Sequence, residues 1–246
     1  MSVERLAAAV LDACGIDPAP PIALARLAYA LGVSEIRAAS MVEDGRLEHR
    51  AGRKVIFLRE QTGPQRRRFT LAHELGHLVL AEPGRDFVAH RHEVHFDSEE
   101  RFCNQFAAAL LLPRTWVRSE FAEAPVGLPA ARGMAAQAET SLSAALVRLR
   151  EVLGWRASML HWRRITGEWR LVSTAGLPRA AHNRVVSTPQ TRFILDSLVG
   201  REEEQRGILP LQIGGERFGV PVEIRVRPQS ATALAFFEDG RVTRHP

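Results

Sequence analysis

The five residues His73-Glu74-Leu75-Gly76-His77 constrain this chain more than any other feature, because they sit inside a run whose apolar positions repeat with helical spacing. Residues four apart on a helix stand one above the other. His73 and His77 can therefore offer two imidazole nitrogens to one metal ion about 2.0–2.1 Å away. Glu74, one step round the helix from His73, falls beside the ion, where a general base for the attacking water belongs. The pattern predicts a helix that starts at Pro64, turns Phe69, Ala72, Gly76 and Val79 onto one apolar face, and ends before Pro83-Gly84.

A metal ion that does chemistry needs a third protein ligand and an open fourth position. A histidine six residues beyond His77 would fall on Pro83, which excludes the metzincin spacing. The candidates downstream are His90, His92, His95, Asp97, Glu99 and Glu100. Glu100 is the preferred ligand. Asp97-Ser98 can cap a helix over 99–112, which places Glu100 in a rigid first turn. Asn104, four residues on along the same face, can accept a hydrogen bond from the far ring nitrogen of a ligating histidine. Glu-x-x-x-Asn on a second helix is the gluzincin arrangement. Glu99 points about 100° away on that helix and is the alternative ligand. The loop histidines are expected to face solvent or substrate. Zinc is the expected metal, with manganese as the alternative.

The rest of the chain frames this motif. It has 246 residues, 46% hydrophobic and 25% charged, which supports one large domain or two small ones with a true core and excludes fibrous and disordered classes. Cys14 and Cys103 are the only cysteines, so no disulfide framework or thiolate cage is expected. No run is long and apolar enough to span a membrane, and the N-terminus lacks a signal-like layout. A soluble, cytoplasmic protein is expected. Net charge is +5 and the sequence pI near 10.4, yet Lys54 is the only lysine and the arginines are scattered among nearly as many acids. DNA binding is therefore a secondary reading. Before the motif, helices over 3–13 and 22–31 precede a small antiparallel sheet that includes 33–40 and 54–58. After it, helices fit 114–122, 132–139 and 142–153. Beyond Gly154 the pattern changes to alternating strands, with a hairpin at Thr166-Gly167 and one helix over 191–203. Trp162 and Trp169 flank that hairpin and are expected to pack as a cross-strand pair.

Arg68-Phe-Thr-Leu-Ala-His-Glu-Leu-Gly-His-Leu78 and Glu100-Arg-Phe-Cys-Asn-Gln-Phe-Ala-Ala-Ala-Leu-Leu-Leu-Pro113 together resemble the ImmA/IrrE family of metallopeptidases. The resemblance covers about residues 20 to 155. Cys103 stands where the family usually has Ala, and Leu112 where Met is common. The resemblance implies zinc on His73, His77 and Glu100, Glu74 as catalytic acid/base, and Asn104 beside the ligands. It implies a zincin-like, mainly helical peptidase domain with a small antiparallel sheet, placed over 1–125, and a helical segment similar to a helix-turn-helix over 126–155; the strand pattern beyond Gly154 adds a small β-rich sensory or interaction domain over 156–246, for an α+β fold in three parts. Some relatives carry a GAF-like sensor in that last place, for which ninety residues is short. The implied substrate is a helix-turn-helix repressor of the XRE type, whose cleavage derepresses stress-response or mobile-element genes. The alternative is a DNA-binding, sensor or toxin–antitoxin-type protein that keeps zinc structurally and holds the repressor without cutting it.

Two points stay open in the sequence. The donor that would stabilise an oxyanion has five equivalent candidates: Tyr29, His90, His92, Arg114 and His161. Arg66-Arg67-Arg68 would oppose the dipole of the active helix, so either that turn frays or an acidic strand neighbour compensates.

Overall fold

The computed structural model describes residues 2–81, 99–177 and 184–236. The fold is α+β, and its contacts divide the chain into two units: Met1–Ala122 with Gly133–Ala144, and Glu123–Arg132 with Ala145–Pro246. Among the described residues, no helix is long and apolar enough to cross a membrane.

The first unit opens with α1 (Val3–Ala13) and α2 (Leu24–Ala30). Ser2 caps α1 by accepting from the Arg5 N–H at 3.3 Å, and Leu6 and Val10 are fully buried on its inner face. Three strands follow, β1 (Val33–Ala39), β2 (Gly45–Arg50) and β3 (Arg53–Arg59), in the spatial order β1-β3-β2. Ala51 and Gly52 both have positive φ, 47° and 75°, the backbone of a type I′ turn, which folds β3 back antiparallel onto β2. The expected antiparallel sheet is mixed: β1 pairs with β3 in parallel. The chain leaves β1, skips one strand position to start β2, and the hairpin then fills the gap with β3. Strand composition carries propensity but not pairing direction, which depends on this skipped position.

Helix α3 (Pro64–Ala81) follows, and α4 (Glu99–Leu111) and α5 (Arg114–Phe121) complete the unit's main elements. One side of α3 packs on α4 and another on β2 and β3. The α3–α4 contact is very close. A Cβ on Gly76 would lie 3.1 Å from the Cys103 Cα and 3.2 Å from its Sγ, so only glycine lets the two helices approach this far. Phe102 and Phe106 stack at 5.9 Å and fill the core beneath.

The start of α3 does not fray. Arg66 Nε donates to Asp44 Oδ2 at 2.8 Å, Arg67 to the Glu60 carbonyl at 2.9 Å, and Arg68 to the Ile22 carbonyl at 3.1 Å. Asp44, just before β2, is the acidic compensation for the dipole-opposing charge. The Asp97-Ser98 cap, Pro83-Gly84, His90, His92 and His95 lie outside the described residues.

Helices α6 (Leu128–Gln137) and α7 (Leu142–Leu153) contribute residues to both units. The expected start of α6 at Arg132 moves to Leu128, because Glu223, from a strand 95 residues on, accepts the Leu128 N–H at 2.6 Å. A cap supplied from so far along the chain leaves no local signature.

The second unit is built on a six-stranded, wholly antiparallel sheet in the order β5-β4-β9-β8-β7-β6. Its strands are β4 (Ala157–Ile165), β5 (Glu168–Ala175), β6 (Val185–Ser187), β7 (Gln205–Ile213), β8 (Glu216–Arg227) and β9 (Ser230–Phe236). Helix α8 (Pro189–Ser197) packs on it through Leu195. Thr188 and Thr191 form a capping box that starts α8, and Gly200 at φ +90° follows its end, so the helix is shorter than the expected 191–203. Trp162 and Trp169 are both buried, but they are not directly opposed. Leu171 stands across from Trp162 and Arg164 across from Trp169, with a bulge between His161 and Trp162. The rings are diagonal neighbours, and each N–H is satisfied elsewhere: Trp162 by Ser187 Oγ at 2.8 Å, Trp169 by Asp196 Oδ1 at 2.9 Å.

Candidate metal centre

The close α3–α4 packing brings the five predicted residues His73, Glu74, His77, Glu100 and Asn104 together, with Glu99, in an open cleft of about 730 Å³ that the β2 segment around Gly45 to Leu47 also lines. His73 Nε2 and His77 Nε2 lie 3.1 Å apart. Glu100 reaches both, with one carboxylate oxygen 3.3 Å from His73 Nε2 and the other 3.4 Å from His77 Nε2.

The other ring nitrogens fix the tautomers. His77 Nδ1 faces Glu99 Oε1 at 2.7 Å, and a carboxylate only accepts, so Nδ1–H donates. His73 Nδ1–H donates to Asn104 Oδ1 at 3.1 Å. With both rings in these neutral tautomers, the two Nε2 atoms present lone pairs to each other and to the Glu100 carboxylate. Burial, and next the neighbouring His77, hold His73 below the usual imidazole range, which keeps it neutral. Three convergent electron-pair donors describe a cation site. Tetrahedral ligands about 2.0–2.1 Å from a zinc ion lie about 3.3–3.4 Å from one another. The separations of 3.1, 3.3 and 3.4 Å, the last two to different oxygens of the Glu100 carboxylate, are of this size.

Cys103 is a rival third donor, since its Sγ and the imidazole nitrogens of His73 and His77 all lie within 4.8 Å of one another. Glu100 and Cys103 both lie within reach of the imidazole pair. Cys103 is fully buried, and burial, followed by Glu99, Glu100 and Glu74, pushes its thiol up to about 12. In the absence of a metal it is a thiol, so coordination there would have to displace its proton.

Glu74 is only 7% exposed. Burial raises its carboxyl above the ordinary range, against the pull of His77 and of the Leu47 N–H that donates to it. Its place depends on β2: a Cβ on Gly45 would lie 2.8 Å from Glu74 Oε1, so a bare backbone is needed where the strand crosses the carboxylate. The sequence reading missed Gly45, Leu47 and the Glu99 contact. Adjacent acids in one helical turn were the available signal for Glu99. Of the oxyanion candidates, Tyr29 is 55% exposed on α2, Arg114 lines a separate groove, and His161 belongs to the second unit. His90 and His92 lie outside the described residues.

Comparison with known proteins matches the part of the chain that carries these residues. Residues 29–150 match the Peptidase_M78 family, described as the IrrE N-terminal-like domain. The radiation response metalloprotease IrrE of Deinococcus radiodurans is 38% identical over 104 residues, 39% of this chain and 31% of that protein. The protein of the same name from Deinococcus deserti is 34% identical over 103 residues, 39% of this chain and 36% of that protein. The chain thus spans about a third of the length of the curated relatives it matches. A Mycobacterium tuberculosis transcriptional regulator shares the fold, with a TM-score of 0.52 and 13% identity over 95% of this chain and 76% of that one. With both helical motifs inside the matched span, residues 29–150 form a domain of the ImmA/IrrE metallopeptidase family.

Proposed function

We propose that this chain is a zinc-dependent endopeptidase in which His73, His77 and Glu100 hold the metal, Asn104 and Glu99 orient the two imidazoles, and Glu74 is the catalytic acid/base. The observation that carries this reading is the convergence of two imidazole nitrogens and the Glu100 carboxylate beside the buried Glu74. When bound, zinc supplies Lewis acidity that polarises a scissile carbonyl and makes water a stronger acid. Glu74 takes the proton from the attacking water and delivers it to the leaving amine. Its raised proton affinity suits both halves of that transfer. Strand β2 is an edge strand whose backbone lines the cleft, so an extended substrate segment can lie along it.

The substrate in this reading is a helix-turn-helix repressor of the XRE type, cut in a cytoplasmic setting, and the peptidase core has the zincin-like arrangement. The α6–α7 segment serves packing or substrate docking rather than reading DNA. In the second helix, Arg148 is 3% exposed and Arg150 donates to the Ala157 carbonyl at 2.5 Å, which leaves neither guanidinium for a groove. The β-rich second unit takes the sensory or interaction role.

Glu74→Gln tests the mechanism. The variant should retain one metal per chain while cleavage of a co-expressed repressor falls about a hundredfold to ten-thousandfold, read by mass spectrometry of the products. Undiminished cleavage would sink the role of Glu74. Co-purification of an intact repressor with the wild-type, metal-loaded protein would favour the non-cutting alternative.

A further inference from the structure

One face of the six-stranded sheet carries arginines that the fold leaves unused, and strand register places them. Arg163 of β4 stands directly opposite Arg170 of β5 and, on its other side, opposite Ser230 of β9. Ser230 in turn stands opposite Arg227 of β8. Directly opposed residues share a face, so Arg170, Arg163, Ser230 and Arg227 make one row across four strands. With strands about 4.8 Å apart, the row is about 15 Å long.

All three arginines are exposed, and none has an ion-pair partner among the described residues. The nearby acids are committed elsewhere. Glu168 lies 4.0 Å from Arg192 of α8, Glu204 pairs with Arg132 and with Arg225, and Glu223 caps α6 and lies 3.5 Å from Arg206. Arginine directly opposite arginine destabilises a sheet, so the Arg163–Arg170 pair brings no structural benefit of its own. The aromatic neighbours in sequence, Trp162 and Trp169, turn to the other face and are buried. The row therefore offers guanidinium groups on a flat surface without a stacking ring.

We infer that this row docks the phosphate backbone of duplex nucleic acid without reading bases. Arginine forks match phosphate oxygens bidentately. Single strands call for aromatic platforms, which the row lacks. Base reading calls for an element that enters a groove, and three side chains on a flat sheet face make only positioning contacts. The assignment does not depend on hydrolysis in the cleft.

The test uses the full chain and fluorescence anisotropy with a labelled DNA duplex of arbitrary sequence over a salt series. Three phosphate contacts at roughly −0.9 each give a slope of log affinity against log salt of about −2.7, or a loss of about 40-fold between about 50 and 200 mM salt. Arg163→Gln/Arg170→Gln/Arg227→Gln should weaken binding roughly tenfold or more at the lower salt, and a duplex of unrelated sequence should bind the wild type equally. Arg26→Gln/Arg118→Gln/Arg201→Gln removes the same charge from exposed sites elsewhere and should leave affinity nearly unchanged. Arg170→Gln alone relieves the like-charge opposition, so it should melt no lower than wild type while the slope shrinks by about 0.9. Absence of duplex binding at the lower salt, equal losses in the two triple variants, or an unchanged slope in Arg170→Gln overturns the proposal. Preference for polyglutamate over the duplex also overturns it and reassigns the row to an acidic protein partner.

Discussion

The two units treat their buried polar groups in opposite ways. In the second, each buried polar side chain has its complement nearby: Trp162 with Ser187, Trp169 with Asp196, Thr188 with Thr191, Glu223 with the Leu128 N–H. In the first, the α3–α4 interface aims two imidazole lone pairs and a carboxylate at one another and buries a second carboxylate beside them. Hydrogen bonds within the protein complete the one arrangement. A bound cation, as proposed above, would complete the other. Polar atoms that lack complements inside a well-packed helix pair therefore mark the proposed metal site, whereas the interior of the sheet is complete without a ligand.

Metal removal should break the comparison most visibly. A ligand that binds only the folded state at about a thousand times its dissociation constant stabilises by about 4 kcal/mol. Chelation should thus strip hydrogen-exchange protection from peptides covering 64–81 and 99–111, while peptides covering β4, β8 and β9 stay protected. Equal loss in both sets would mean that the contrast between the units has no energetic content. Gly76→Ala comes next. The added methyl meets the Cys103 backbone at 3.1 Å, and overpacking of this kind costs about 1–3 kcal/mol, offset in part by the better helix propensity of alanine. Thermal melting of the apoprotein measures the loss. A rise in melting temperature would show that the helices can separate freely.

These particulars also show what the residues disclose before folding. Spacing four apart on helices announced His73, His77 and Asn104, because helical geometry is local and each motif is contiguous. Facts that depend on a third element stayed hidden. Gly45 and Leu47 reach Glu74 only because β2 lies on the sheet edge, and the parallel β1–β3 pairing depends on a skipped strand position. Asp44 anchors Arg66 across 22 residues, so the start of α3 looked frayed from its own composition alone. The long-range cap from Glu223 to Leu128 moved a helix start by four residues for the same reason.

Asn104→Ala sharpens the comparison within the first unit. It leaves the His73 Nδ1–H without its acceptor, frees the ring to change tautomer and should weaken metal affinity about tenfold to a hundredfold, measured by competition with a chromogenic chelator. Unchanged affinity would show that packing alone orients the ring.

The smallest effect belongs to the scaffold. His161 of β4 is partly buried, with Nδ1 2.9 Å from Thr232 Oγ1. Burial first, and Arg163 next, lower its pKa below the usual imidazole value of 6.5. The unfolded chain therefore takes up the proton at a higher pH than the folded one. Stability from the neutral ring is full above 6.5 and is lost as pH falls through the depressed folded value. Urea midpoints followed by tryptophan fluorescence should fall as pH drops from neutral, by less than the Gly76→Ala effect, and His161→Gln should flatten that slope. Three of the four tryptophans, Trp155, Trp162 and Trp169, lie in the second unit and report on it. A slope that survives His161→Gln would place the acid sensitivity in another titrating group, the carboxylates that cap α6 and hold Trp169 among them.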